Sequence, residues 1–476
     1  MPASRTASSG LTTIMVVGFM GVFMLILGML TSYVFQQARY GRVLLAREQA
    51  LHIAEAGLEY YRWFLAHNPG DVQNGTGEPG PYAYTVEDPE GGDLGTASLS
   101  VTGNYQCGIL QHVDVASEGA AASQPEYPRI VSARYMQPSV AEYAFLINSN
   151  VWFGSSNTGV GPYFSNGGIR QDASSNSTVS SALSTFTCDS SMGCSPTQTQ
   201  NGVFGSGSGI WKFPESSIDF SGMATNLSTL RGYAQASGLY FQHSNVSANP
   251  DSRGFHIVLK SDGTLDAYRV TGTQWVYGWR NNGDCSSGGG WCIDYDVITS
   301  ETFLGNYAVP PTCGLVYVEG TLWLEGTLDG KLTIIAADPG SYAPDILLKN
   351  DIAYASTDGT TGLTAIAEHS VRLPINTPST LNIRGILVAQ GGYYGRDFHL
   401  EGYTNGYDSY ILRSQLNVIG SIISNQRAAV AWGSGGSVSS GYQNRTNSYD
   451  RVLAFDPPPF TPATSPDYTY VLWDEE

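Results

Sequence analysis

The sequence predicts a mainly β protein with one long N-terminal helix. In this prediction a transmembrane and amphipathic helix leads into a small antiparallel sheet and then a large β domain that is β-helix-like. Three observations predict it. A long uncharged apolar run lies near the N-terminus, the rest of the chain is rich in glycine and tyrosine with only 13% charged residues overall, and similar segments recur in the C-terminal half.

Breaker residues and shifts in composition divide the 476 residues into six segments. The predicted segments are a leader-like stretch 1–10, the helix 11–68, a small β-head 69–143, a loop-rich β insertion 144–310, a β-helix-like repeat domain 311–433 and a C-terminal cap or tail 434–476. The helix ends at His67-Asn68-Pro69-Gly70, because proline and glycine cannot continue it.

The first half of the helix is predicted to span a membrane. No residue from Leu11 to Phe35 is charged, and this length can cross a hydrocarbon core of about 30 Å. A cleaved signal peptide is the alternative, but the run is longer than a usual signal core and no Ala-x-Ala site ends it. Three arginines follow the span and only Arg5 precedes it, so the positive-inside rule alone predicts a cytoplasmic body. The cysteines and the low charge favour an exported one.

The second half of the helix is amphipathic. Its polar residues recur at helical spacing and form one narrow stripe. They are Glu48, His52, Glu55, Glu59 and Arg62. We interpret His52 as a member of this stripe rather than a metal ligand. The apolar residues beside the stripe must pack either on the β-head of the same chain or on neighbouring helices.

The N-terminal residues resemble those of type IV pilins. Ala46 to Trp63 reads AREQALHIAEAGLEYYRW and resembles a PilX-type minor pilin, while Gly10 followed by Leu11 resembles a prepilin cleavage junction. The resemblance is confined to the N-terminal segment that ends near Leu65. It implies a membrane-anchored, exported subunit that joins other pilin subunits through its helix and acts in filament initiation, at the tip or in surface adhesion.

One position departs from the pilin pattern. Major pilins carry a glutamate as the fifth residue after the junction, where it pairs with a free amine, and this chain has Met15 there. An unpaired amine in an apolar bundle is costly. The departure therefore favours a special place such as the filament tip, or a chain that is not cleaved.

Alternating residues predict the strands of the β-head and one hairpin in the insertion. The runs in the β-head are Tyr82–Val86, Ala97–Val101, His112–Ala116 and Ile130–Tyr135. The hairpin extends over Phe255–Thr271 around an Asp262-Gly263 turn. A last strand is predicted at Tyr468–Trp473, after Pro457–Pro459 ends the repeats.

Repeated segments predict stacked β-arcs between Gly314 and Asn425. Two long segments match, because Leu381–Val388 resembles Leu416–Ile423. A shorter pair is Leu332-Thr333-Ile334 and Leu363-Thr364-Ala365, and Val316, Leu322 and Leu328 recur at a six-residue spacing and are expected to point inward. A β-sandwich is the alternative, because periodicity alone does not distinguish buried strands of different sheets.

The six cysteines indicate disulfides rather than zinc, since no CxxC occurs and an exported chain is expected to be oxidised. Cys188 with Cys194 and Cys285 with Cys292 are predicted as local bridges. Cys107 and Cys313 can pair only if the fold brings them together.

No known catalytic motif, metal-ligand spacing or cofactor fingerprint occurs, so we predict a protein that is not an enzyme and holds no metal or cofactor. The alternative is a surface β-helix protein that binds or cleaves polysaccharide. Its candidate residues are Asp345, Asp351, Asp358, Arg372 and Arg384.

Loop aromatics predict binding of glycans or of a host or cell surface, with core packing as the alternative interpretation. The candidates for stacking on a ligand are Trp275, Trp279, Trp291, Tyr393 and Tyr394. Residues 1–68 hold five arginines and three acids, so the remainder carries 18 basic and 38 acidic residues, a net charge of −20. That charge argues against a nucleic-acid partner.

Overall fold

A computed structural model describes residues 9–243, 254–280, 290–340, 342–434 and 437–475. The helices are α1 (Ser9–His67), α2 (Phe220–Met223), α3 (Leu227–Ser237) and α4 (Arg451–Phe455). The first strands are β1 (Tyr82–Glu87), β2 (Asp93–Gln106), β3 (Ile109–Ala121), β4 (Arg129–Met136), β5 (Phe145–Ile147), β6 (Val151–Phe153), β7 (Asn157–Val160), β8 (Tyr163–Ser165), β9 (Ile169–Gln171), β10 (Ser174–Ser175), β11 (Thr178–Ser181), β12 (Thr185–Cys188), β13 (Gln198–Asn201), β14 (Val203–Phe204) and β15 (Ile210–Lys212). The remaining strands are β16 (Leu239–Phe241), β17 (Gly254–Leu259), β18 (Thr264–Trp279), β19 (Trp291–Ala308), β20 (Leu315–Glu319), β21 (Thr321–Leu328), β22 (Lys331–Ala337), β23 (Ile346–Tyr354), β24 (Gly362–Ala367), β25 (Val371–Arg372), β26 (Thr380–Ala389), β27 (Tyr394–Gly395), β28 (Leu412–Ser424), β29 (Ala431–Ser434), β30 (Ser437–Ser448) and β31 (Thr469–Glu475).

The predicted fold class is confirmed: one long helix precedes a small antiparallel sheet and a large β domain. The chain divides into two compact units. The first holds residues 1–103, 113–135 and 472–476, and the second holds 104–112 and 136–471.

In the first unit, α1 has two different halves. An 18-residue window of its apolar half has a mean hydropathy of 2.5 and is 0% buried, so its apolar side chains have no cover from the described chain. The other half packs on the sheet β1-β2-β3-β4-β31, with Ile53, Ala54 and Leu58 buried. A Cβ added at Gly119 would lie 2.1 Å from the Ala50 carbonyl oxygen, so glycine lets the helix and the sheet approach closely. The apolar side of this half therefore packs on its own sheet.

In the second unit, parallel strands stack in successive coils, and each coil contributes to three hydrogen-bonded ladders. Ladder A runs in the spatial order β16-β20-β22-β24-β26-β28-β5-β8-β11-β15. Ladder B runs β17-β21-β23-β26-β28-β30-β7-β10. Ladder C has two pieces, β21-β23-β25-β27 and β6-β9-β14. Parallel pairing of this kind agrees with the β-helix-like prediction and differs from a sandwich of antiparallel sheets.

The longer repeats in the sequence mark true stacking partners. Leu381–Ala389 pairs in register with Leu416–Ser424, and Leu332 pairs with Leu363. The six-residue spacing does not mark stacking, although Val316, Leu322 and Leu328 are buried as expected. Val316 lies on β20 and the other two lie on β21 of the same coil, because the chain turns at Gly320 (φ +109°). The stacking partner of Val316 is Ile334 on β22.

Ladder A is covered on both sides, as parallel sheets usually are. Its inner side chains fill the coil interior, among them Val316, Ile334, Ala365 and Leu387. Its outer side chains pack with residues of α3 and α4, among them Tyr317, Ile335, Ile366, Leu230 and Leu453.

The segment 144–310, predicted as a loop-rich insertion, instead supplies strands to all three ladders. Its strands β5 to β11 have only two to four residues each, which is too short for an alternating pattern to be recognised in the sequence. The predicted hairpin is present, with β17 antiparallel to β18 and Gly263 in the turn at φ +77°. Strands β18 and β19 then form a long antiparallel ribbon, which we call the arm.

Candidate binding cleft and charged cluster

The second unit opens at one seam between two coils. Ladders A and B cross this seam without a break, through pairs such as Ile422 with Phe145 and Arg445 with Asn157. Ladder C does not cross it in the described chain. On one side of the seam an isolated parallel bridge joins Gly395 to Ala429, and on the other side β6 pairs with β9. The break leaves a cleft with a volume of about 670 Å³ that reaches from the surface into the coil.

Aromatic and amide side chains form much of the cleft wall. The aromatic rings include Trp152, Trp279, Tyr393, Tyr394 and Trp432. Among the described lining residues the charged ones are Arg280, Arg427 and Arg445, and none is a carboxylate. The cleft is thus cationic in a chain with a net charge of −18.

Arg445 points into the coil, where its side chain has no carboxylate partner among its described hydrogen bonds. Its Nε donates to Asn157 Oδ1 at 2.8 Å and its Nη1 donates to the Tyr442 carbonyl oxygen at 2.6 Å. Burial lowers the pKa of Arg445 to about 10, so the guanidinium still carries its charge at neutral pH.

Arg427 lies at the other wall and is held by neutral groups. Its Nη1 donates to Ser191 Oγ at 2.9 Å and its Nη2 donates to the Ser191 carbonyl oxygen at 2.8 Å. Burial lowers the pKa of Arg427, with Asp189 acting in the opposite sense from farther away. Both arginines therefore keep guanidinium N–H groups that no carboxylate neutralises by a direct hydrogen bond in the described chain.

Tyr394 adds an unsatisfied polar group to the same wall. Its side chain is 2% exposed, and its hydroxyl has no hydrogen-bond partner among the described residues. The amide oxygen of Gln426 is likewise without a partner in the described part of the chain. Buried polar atoms of this kind are costly unless a ligand or water satisfies them.

A buried charged cluster lies where the arm covers the first piece of ladder C. Arg372 on β25 donates from Nε to Asp345 Oδ2 at 2.7 Å and from Nη2 to Asp296 Oδ1 at 2.7 Å. Arg280, at the end of β18, donates to Asp294 at 2.5 Å and also to Asp397. Four carboxylates thus face two guanidinium groups.

Burial and neighbouring charges shift the pKa values of the carboxyl groups in this cluster in different directions. Burial raises the pKa of Asp296 to about 7 and that of Asp397 to about 6, despite the nearby arginines. Burial also opposes ionisation of Asp345, but Arg372 and then His369 lower its pKa overall. The carboxylates hold the pKa of Arg372 well above its ordinary value, although burial acts the other way. Arg372 is therefore a permanent cation and cannot serve as a base.

The five residues of the polysaccharide-cleaving alternative do not converge. Asp345 and Arg372 meet, but as partners in one ion pair. Asp351 accepts from the Asn382 backbone N–H at 2.8 Å, and the fully exposed Asp358 accepts from Thr360. Arg384 lies 5.9 Å from the ring centre of Tyr354.

The predicted stacking aromatics separate into two groups. Tyr393 and Tyr394, expected in exposed loops, are 3% and 2% exposed, because β27 and the residues beside it belong to the coil wall. Trp275 is 41% exposed and lies on the arm. Trp291 packs against Tyr403 at 6.3 Å between ring centres, and Trp279 packs against Trp432 at 5.3 Å. Of the three predicted tryptophans, Trp279 reaches the cleft.

The polar stripe of α1 faces solvent. The side chain of His52 is 74% exposed and its Nδ1 lies 3.3 Å from a Glu55 carboxylate oxygen, while Arg62 lies 3.5 Å from Glu59. Glu48 is exposed as well. Gly10 and Leu11 lie in the first turn of α1, which continues through them, so cleavage there stays a prediction.

Two disulfides are present among the described residues, Cys107–Cys313 and Cys188–Cys194. The first closes a separation of 206 residues within the second unit, as the fold brings the two sulfur atoms together. The predicted partner of Cys292, Cys285, lies outside the described residues. In the described ranges no group of three or more His, Cys, Asp or Glu side chains is arranged to hold a metal ion.

Sequence reasoning missed the cleft-lining arginines. Arg427 and Arg445 stand in polar, glycine-rich stretches with no motif around them. The available signal was indirect: the segments 425–433 and 437–448 follow the last long repeat and carry two arginines but no acidic residue.

No family model and no curated protein matches the chain. Among solved structures it is similar to the competence-associated pilin ComZ from Thermus thermophilus, with 12% sequence identity and a TM-score of 0.32. The similarity covers 90% of this chain and 97% of that one. At this identity and TM-score it does not indicate a shared function.

Proposed function

We propose that this chain is a membrane-anchored, pilin-like structural subunit of the PilX type, with a stacked β domain that binds rather than cleaves. The observation that carries the proposal is the division of α1 into an uncovered apolar half and a half packed on its own sheet. A 59-residue helix with this division is suited to a lipid bilayer and to a bundle of like helices. The subunit would be exported to the cell surface or into a filament, at its tip or in its initiating complex.

The partners in this proposal follow from the two units. The apolar half of α1 would pack against other pilin subunits in the membrane and in the filament. The second unit would be presented outside the membrane and contact a glycan or a cell surface through its cleft and the exposed aromatics of the arm. Its disulfides fit an oxidising compartment.

Cell fractionation and shearing of filaments test the proposal. The native chain is expected in the membrane fraction and in sheared filaments. Ile26→Arg places a charge in the apolar half and costs about 2.5–3.5 kcal/mol of membrane insertion, so it should be lost from both fractions. His52→Arg is the matched control, because that side chain is already 74% exposed on the polar stripe. A native chain found wholly in the soluble cytoplasmic fraction would overturn the proposal.

The polysaccharide-cleaving alternative has less support. Of its two candidate arginines, Arg372 is paired with Asp345 and Asp296, and Arg384 lies apart at the ring of Tyr354. Incubation of the full chain with polygalacturonate separates the two functions, since a binding protein releases no unsaturated products and an eliminating enzyme releases them over time. Product release that Arg384→Met abolishes, or that Arg372→Met abolishes in a chain that is still folded, would establish the enzyme.

A further inference from the structure

We propose that the cleft at the seam binds a short saccharide that carries carboxylate groups. The inference deepens the proposed binding role and rests on it. A volume of about 670 Å³ lies within the range of about 300–1,000 Å³ that small-molecule sites occupy. At the seam ladders A and B continue while no pairing of ladder C is present among the described residues, so hydrogen-bonded strands frame the opening.

The positive charge of the cleft wall favours an anionic ligand. Arg427 and Arg445 hydrogen-bond serine, asparagine and backbone carbonyl oxygens, which leaves their positive charge uncompensated by any direct carboxylate contact described. Burying a cation without a counter-ion is unfavourable, and an incoming carboxylate would supply one to the buried Arg445. Bidentate binding of a carboxylate by a guanidinium is also among the strongest polar contacts that proteins make.

The remaining wall suits a sugar ring. Trp152, Trp279 and Trp432 contribute aromatic rings to the wall, with Arg170 over one face of Trp152 and Trp279 packed edge to face on Trp432. The third arginine, Arg280, is already neutralised by Asp294 and Asp397. The Tyr394 hydroxyl and the Gln426 amide oxygen, both unpartnered in the described chain, can exchange hydrogen bonds with sugar hydroxyl groups.

Single-stranded nucleic acid is the competing anion with planar rings. A nucleic-acid strand needs a positive track along its backbone, and long-range repulsion opposes its approach to a chain with a net charge of −18. A short carboxylated sugar needs only the local charge of the cleft. The observations therefore favour the saccharide.

Calorimetric titration of the full chain in detergent with trigalacturonate tests the inference. We expect saturable binding that weakens when sodium chloride is raised from about 50 to about 500 mM, as charge-mediated binding does. The trimethyl ester of the same trisaccharide keeps the rings but removes the charges, so it should bind at least about tenfold more weakly.

Arg427→Gln should weaken trigalacturonate binding by about tenfold or more, because it removes one cation of the wall. Lys212→Gln on β15 is the matched control, since it removes one exposed positive charge away from the cleft and should leave the affinity unchanged. Trp432→Phe is a second variant that keeps an aromatic ring and the wall charge, and it should weaken the acid and the ester by the same factor.

Three outcomes would overturn the inference: no binding of trigalacturonate, equal affinity for the acid and its ester, or tighter binding of a short oligothymidylate. Recovery of the chain in sheared filaments is measured in parallel for Arg427→Gln. If Arg427→Gln loses sugar binding but is recovered normally in filaments, the result concerns the cleft alone. Absence of the native chain from membranes and filaments would instead overturn the proposed function itself.

Discussion

Ladder A and ladder C of the second unit are made by the same coils but differ in what surrounds them. Within the described residues, ladder A has ten strands without a break and apolar side chains on both of its sides. Ladder C, over the same described ranges, is interrupted at the seam, bears the charged cluster under the arm and opens into the cleft. The difference teaches that one well-packed ladder can hold the coils in place while another carries charge and an opening.

The largest effect is expected from a charge placed inside ladder A. Ile334 is 0% exposed and stacks between Val316 and Ala365. Ile334→Asp should lower the free energy of unfolding by about 5 kcal/mol, because the buried carboxylate would have no partner. Urea denaturation followed by tryptophan fluorescence measures this. Ile334→Val is the control and should cost only about 1 kcal/mol; equal midpoints for both variants would contradict the role assigned to ladder A.

The charged cluster beside ladder C should give the next largest effect. Arg372→Met should cost about 3–5 kcal/mol, because Asp296 and Asp345 would lose their direct cation. Arg384→Met on β26 is the control, since that side chain has a ring contact in place of a buried ion pair, and it should cost less than about 1 kcal/mol. Similar unfolding midpoints for Arg372→Met and Arg384→Met would show that the charged cluster does not stabilise the folded chain.

The pH dependence of stability should report the same cluster with a smaller effect. Burial raises the pKa of Asp296 to about 7, above its value of about 4 in the unfolded chain, so the folded chain holds an extra proton at lower pH. Asp296 alone should therefore lower the free energy of unfolding by about 1 kcal/mol from pH 6.5 to 8. His399, whose pKa burial lowers to about 4, is neutral in the folded chain but about half protonated in the unfolded chain at pH 6.5, so it opposes this contribution and leaves a net fall of about 0.5 kcal/mol.

Asp296→Asn is the variant that tests this assignment. It removes the titrating group, so its stability should not fall between pH 6.5 and 8 as that of the native chain does, as measured by thermal unfolding at fixed salt. A native chain that becomes more stable over the same interval would mean that another group dominates.

The smallest effect compares two buried tyrosines. The Tyr394 hydroxyl on ladder C has no partner in the described chain, so Tyr394→Phe should change the free energy of unfolding by less than about 0.5 kcal/mol. The Tyr442 hydroxyl on β30 donates to Thr377 Oγ1 at 2.9 Å, and Tyr442→Phe should cost about 1 kcal/mol. A larger loss for Tyr394→Phe would indicate that its hydroxyl is already satisfied.

Ladder A was easier to predict from the sequence than ladder C for a physical reason. Strands that stack in register place similar residues at equivalent positions, so Leu381–Val388 and Leu416–Ile423 were recognisable as partners. Coil lengths vary, because Val316 stacks on Ile334 while Leu381 stacks on Leu416 at a much larger separation along the chain. A fixed six-residue period was therefore misleading.

The site was harder to predict because its residues come from distant segments. Asp345 and Arg372 were singled out in the sequence, but Asp296, the second partner of Arg372, lies on the arm and could be placed only by the fold. The cleft exists because ladder C is not paired across the seam in the described chain, and a missing pairing leaves no residue pattern in the sequence. The amphipathic half of α1 was predictable, because helical spacing alone separates its polar stripe from its buried side.

The order of strands in ladder A has a consequence for synthesis. Strand β5 is the first strand of ladder A to be translated, but it lies in the middle of the ladder. Its partner β28 is the last of these strands to be translated, so Phe145 can pair with Ile422 only after β28 has been made. Until β28 emerges, β5 exposes a bare strand edge, which is a site for mispairing and aggregation. A chain truncated before Leu412 would therefore lack both the cover for that edge and one wall of the cleft. Because this contact joins segments far apart in the sequence, we expect slow folding.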